Sequence, residues 1–124
     1  MKKIAMAAIL PLTLALTMSG VVQARELKAV GITVGSLGNP YFVTLANGAK
    51  AKAQQINPNV KVTAVSADYD LSKQFTQIDN FISAGVDLIL LNATDPVAIE
   101  PAIKKAQKAG IVVVAVDVGA KGVD

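Results

Sequence analysis

The chain has 124 residues, of which 52% are hydrophobic, 17% charged and 4% aromatic. That suits one globular domain whose core is built from Val, Ile, Leu and Ala rather than rings. It has no cysteine and no histidine, which excludes disulfides, argues against a zinc site, and removes the commonest general base. Its net charge of +3 forms no basic stripe interleaved with aromatics, so nothing favours nucleic acid as a partner.

Residues 1–24 read as a secretory signal peptide. "MKK" is a basic start, "IAMAAILPLTLALTM" an apolar stretch, and "SGVVQA" ends with Val22 and Ala24 before "RE". The apolar stretch is short and broken by Pro11, which argues against a membrane anchor of the usual ~20 residues. No cysteine follows it to take a lipid anchor. Without Lys2 and Lys3 the remainder carries 10 basic and 9 acidic residues, a net charge of +1.

From there, strand and helix patterns alternate. "LKAVGITV" (27–34) reads as a strand. Asn39 can cap a helix opened by Pro40, with Phe42, Leu45, Ala46, Ala49, Ala53 and Ile56 at helical spacing. "VKVTAVSA" (60–67) is the second strand. A second helix is expected near 71–84, with Leu71, Phe75, Ile78 and Ile82 on one face and Gly85 as its C-cap. "VDLILL" (86–91) is a third strand, apolar enough for burial on both sides. A third helix is expected from Pro96 to Ala109, capped by Thr94 or Asp95, with Ile99, Ile103 and Ala106 inward. "IVVVAV" (111–116) is the fourth strand, and 117–124 a loop.

This alternation predicts an α/β fold: a doubly wound parallel sheet with helices on both faces. Such sheets bind ligands beyond the carboxyl ends of their strands, where strand order reverses. For an order of 2-1-3-4 that point lies between strands 1 and 3. "GSLGNPYF" (35–42) and "NATDP" (92–96) flank it, and "DVGAKG" (117–122) lies at the same end. Asn39, Asn92, Asp95 and Asp117 offer amides and carboxylates, and Tyr41 and Phe42 offer flat apolar faces. That mixture suits a small neutral polyhydroxylated solute. It suits a phosphate less well, since Lys121 is the one cation in these loops. Each residue also has a plainer role open to it: Asn39 and Asp95 as helix caps, Phe42 as core. Asp117 and Asn92 are harder to explain structurally. No catalytic set, G-x-G-x-x-G or Walker motif is present, so neither an enzyme nor a cofactor is expected.

Three stretches, "AVGITVGSLGNPYFVTLANGAKAKA", "QIDNFISAGVDLILLNATDP" and "AGIVVVAVD", together resemble the N-terminal lobe of periplasmic sugar-binding proteins of the ribose-binding type. These are soluble receptors of ABC importers. The resemblance implies one lobe (25–124) of a two-lobe protein that closes on a monosaccharide or sugar alcohol in the periplasm and docks on an ABC permease in the inner membrane. It implies that Asn39 contacts a sugar hydroxyl, that Tyr41 and Phe42 flank the ring, and that Asn92 and Asp117 are polar contacts at the ends of strands 3 and 4. Two positions depart from the family. Val118 stands where ribose-type members often carry an arginine, and Gly35 where a small hydroxylated residue is common. Loss of that planar donor fork turns the expectation from ribose towards another pentose, a hexose or a polyol. The family continues into a second lobe, so the chain is expected to be a fragment that alone binds sugar weakly or not at all. Two other readings stand beside this one. The first is a dinucleotide-dependent α/β enzyme domain using Asp68, against which the missing glycine fingerprint argues. The second is a ligand sensor for chemotaxis or signalling.

Overall fold

The structure is a computed structural model and describes residues 25–123. The expected signal peptide lies outside the described residues. In chain order the elements are β1 (Ala29–Val34), α1 (Pro40–Ile56), β2 (Lys61–Ser66), α2 (Leu71–Ala84), β3 (Leu88–Leu91), α3 (Glu100–Lys108) and β4 (Val112–Ala115). The four strands form one sheet in the order β2-β1-β3-β4. Every pairing is parallel, with Val30 opposite Val62 and Leu88, and Leu88 opposite Val112. This is the expected order, and it puts the reversal between β1 and β3.

Side chains alternate across each strand, and both faces of the inner strands are apolar apart from Thr33 of β1, which is buried. Val30, Ile32 and Val34 of β1 meet Phe42 and Ala53 of α1 on one face. Ile89 and Leu91 of β3, with Val113 of β4, meet Ile78 and Phe81 of α2 and Ile103 and Ala106 of α3 on the other. Helices therefore cover both faces, as the strand–helix alternation predicts.

The helix ends follow from local chemistry. The Asn39 side chain accepts from the Tyr41 N–H, and Pro40 supplies a helical φ without needing a partner for an N–H. Asp70 caps α2 by accepting from the Lys73 N–H, and Gly85 ends it in the left-handed region at φ 66°. α3 starts later than predicted. Pro101 has no N–H to give the Val97 carbonyl, so residues 95–99 form a turn instead. In that turn the Asp95 carboxylate accepts from Val97 N at 2.9 Å and Ala98 N at 2.8 Å. Those two N–H groups, Ala98 first, hold the Asp95 carboxyl below the ordinary aspartate range.

Asp87 fastens the start of β1. Its Oδ2 accepts from Lys28 N at 2.8 Å and Ala29 N at 2.9 Å, and Arg25 Nε stands 3.4 Å from Oδ1. Burial alone would raise its pKa. The two N–H groups and the charges of Arg25 and Lys28 outweigh burial, and the carboxyl lies below its usual range.

Candidate functional site

The loops after β1, β3 and β4 meet at the carboxyl end of the sheet and are tied through two side chains. Asn92, buried at the end of β3, accepts from Gly35 N through Oδ1 at 3.1 Å. Its Nδ2 donates to Asp117 Oδ2 at 3.1 Å and to the Val116 carbonyl at 3.4 Å. The other oxygen of Asp117 accepts from the Tyr41 hydroxyl at 2.9 Å. The Asp117 carboxylate is thus gripped on both oxygens, by α1 and by β3. Asp117 itself is exposed and sits at φ 65°, a left-handed geometry that Asp tolerates better than most residues.

Of the five candidate residues, Tyr41, Asn92 and Asp117 are joined in this network. Phe42 is buried in the core beside β1, and its ring meets that of Tyr41 edge to face, centroids 5.2 Å apart at 73°. Asn39 is exposed, and its Oδ1 is occupied by the cap bond to Tyr41 N at 3.0 Å, which leaves the amide NH2 as its outward donor. Tyr41 is half exposed. The hydrogen bond to Asp117, then burial, then the Asp117 charge raise its phenol pKa above the ordinary value. Each carboxylate oxygen has two lone-pair directions. With one on each taken internally, Asp117 can still accept from two neighbouring hydroxyls of a ligand.

Gln74 of α2 is a residue that sequence reasoning passed over. It is fully buried, and its Nε2 donates to the Asn92 carbonyl at 2.9 Å and to Thr33 Oγ1 at 3.1 Å. Its Oε1 accepts from Thr94 N at 2.9 Å. A buried glutamine satisfied on both ends of its amide sets the course of the loop that carries Asn92. The signal was available: Gln74 falls between Leu71 and Ile78 on the inward stripe of α2. Tyr69 was also passed over. It lies beyond β2 with its ring against Gly35, where a Cβ would stand 2.6 Å from the Tyr69 Cε1.

Two further features lie outside this network. Asp68, the acid a dinucleotide ribose would need, is engaged by Lys73 and Ser66. Those hydrogen bonds, Lys73 first, lower its pKa. A hollow of about 310 Å³ lies between β2 and α2, lined by Lys61, Thr63, Val65, Gln77, Phe81 and others. None of the five candidate residues lines it. It is a largely apolar trough beside an edge strand, with Lys61, Thr63, Gln77 and Asn80 as its polar lining, and it lies apart from the network around Asp117.

The profile of a family described as a periplasmic binding protein domain matches residues 30–124. The chain is similar to the ribose import binding protein of Bacillus subtilis (strain 168), 39% identical over 88 residues, which is 71% of this chain and 28% of that one. Among solved structures it is similar to an ABC transporter solute binding protein from Mycobacterium smegmatis with bound glycerol. There the TM-score is 0.70 at 29% identity, over 77% of this chain and 33% of that one. A second, from Clostridium phytofermentans with bound L-rhamnose, gives 0.68 at 33% identity, over 75% and 29%. The chain spans about a third or less of the length of each of these relatives.

Proposed function

The chain belongs to the periplasmic binding protein domain family, and from that premise we propose that it contributes one wall of the binding cleft of a solute receptor for an ABC importer. The ligand is a monosaccharide or sugar alcohol. Asp117 carries this reading: its carboxylate is held on both oxygens by Tyr41 and Asn92 at the strand-order reversal, with lone pairs left for two hydroxyls. Asn39 offers its amide NH2 to a further hydroxyl. The Tyr41 ring, backed by Phe42, offers an apolar face to the C–H side of a sugar ring.

In this reading residues 1–24 are a signal peptide, 25–124 are an N-terminal lobe, and the protein works in the periplasm as a binding protein and not an enzyme. A second lobe closes over the ligand, and the closed form docks on a membrane permease. The ligands of the relatives, ribose, glycerol and L-rhamnose, support a small polyhydroxylated solute without selecting one. Val118, in the place of an arginine, favours a ligand other than ribose. The test is ligand-observed saturation-transfer NMR on the exported chain with D-ribose, L-rhamnose, myo-inositol and NAD. This method suits the weak binding expected of one wall. Transfer to a sugar or polyol that disappears in Asp117→Ala supports the reading. Transfer to NAD alone, or sugar transfer that persists unchanged in Asp117→Ala, overturns it.

A further inference from the structure

We propose that Tyr69 is a third aromatic wall of this cleft, contacting the ring of the bound sugar or polyol from the β2 side; this rests on the reading above. Asp68 and Tyr69 both have positive φ, 53° and 57°. Asp adopts that region with modest cost, but a tyrosine there is a steric outlier. A residue held in such a conformation needs surroundings that enforce it, and they are present. The Asp68 carboxylate is bound by Ser66 and Lys73, Asp70 N donates to the Ala67 carbonyl, and Tyr69 N donates to the Gly35 carbonyl at 3.0 Å.

The strained backbone does not bury the ring in the core. Tyr69 remains 62% exposed. It is aimed instead at one spot, the missing side chain of Gly35, where a Cβ would also lie 3.3 Å from Phe42 Cε2. Gly35 gives its N–H to Asn92 and its carbonyl to Tyr69. The ring therefore stands beside the residue that anchors the polar network. A glycine at position 35, read from the sequence as a departure, is what admits the ring. Any larger residue would push Tyr69 away.

A surface tyrosine that merely packs on a glycine would affect stability and leave binding alone. A cleft wall affects binding whatever it does to stability. The experiment measures both, using saturation transfer to L-rhamnose and myo-inositol and thermal denaturation of the exported chain and its Tyr69→Gly, Tyr69→Phe and Asp117→Ala variants. Tyr69→Gly relieves the left-handed strain, so it is expected to melt no lower than the parent while saturation transfer falls at least tenfold. Tyr69→Phe keeps the ring and is expected to keep most of the transfer. In the parent, the Tyr69 ring resonances are expected to shift on ligand titration. Unmoved Tyr69 resonances, or parent-like transfer in Tyr69→Gly alongside its loss in Asp117→Ala, overturn the wall and leave the sugar reading standing. Transfer that persists unchanged in both Tyr69→Gly and Asp117→Ala overturns both.

Discussion

The Asp117 carboxylate is held by a phenol and an amide rather than by a cation, and that choice has measurable consequences. The Tyr41 phenol is held above its ordinary pKa, about 10, chiefly by its hydrogen bond to Asp117. A raised folded-state pKa means the bond contributes stability below the unfolded value and loses it as pH rises through the raised one. Asp117→Ala is therefore expected to bring the Tyr41 titration down, read from its own ring resonances. Thr94 offers a contrast, because its hydroxyl is buried without a partner. Thr94→Val is isosteric and removes that unsatisfied group, so unfolding in denaturant should show a gain of about 1 kcal/mol. Residue identity was partly legible in the chain. Asn92 and Asp117 stood out because each ends an apolar strand with no cap to make. That the two grip each other was not legible, since the bond joins side chains 25 residues apart and depends on β4 lying beside β3. Tyr69 escaped because a positive φ leaves no mark in a tyrosine.

At the scale of the elements, helix existence and inner faces followed from apolar spacing, and α2 runs over the residues expected. The start of α3 did not, because Pro96 and Pro101 each suit a first turn and periodicity cannot choose between them. Backbone hydrogen bonds decide it, since Pro101 has none to give. The strands are shorter than the apolar runs that contain them, although single bonds such as Ala67 N to the Val34 carbonyl and Val116 N to the Leu91 carbonyl extend the pairing by a residue. Asp87 joins β3 to β1 from inside one of those runs. Asp87→Ala leaves the Lys28 and Ala29 N–H groups without their charged acceptor and should cost about 2 kcal/mol, measured by chemical denaturation. Its depressed pKa contributes stability above the unfolded value, about 3.9. That contribution is lost as pH falls through the lowered value, so the variant's deficit should shrink in strong acid. Gln74→Leu keeps the volume but strands the Asn92 carbonyl and the Thr94 N–H. A loss of about 3 kcal/mol is expected for one buried and one part-buried group left unpaired, because Asn92 also loses its seat.

At the scale of the whole sheet, the described residues leave two unlike edges. β2 carries Lys61 and has three of its six residues exposed. β4 reads Val-Val-Val-Ala, pairs with β3 on one side, and leaves Val112 60% and Val114 40% exposed. An uncharged, β-branched edge is a template for another strand. The described part is therefore expected to self-associate with concentration, and Val112→Lys with Val114→Lys should return sedimentation to a monomer without lowering the melting temperature by more than a few degrees.

The Tyr41–Asp117 bond joins residues 76 apart in the chain. In a sheet of parallel strands, each pairing waits for a crossover to close, and such distant contacts form slowly. The polar cluster cannot exist until β4 has docked on β3, so a ligand bound at Asp117 as proposed holds β4 in place. Bound solute should therefore slow amide hydrogen exchange in β4 more than in β1, so that a strand at one side of the sheet gains protection from the cargo.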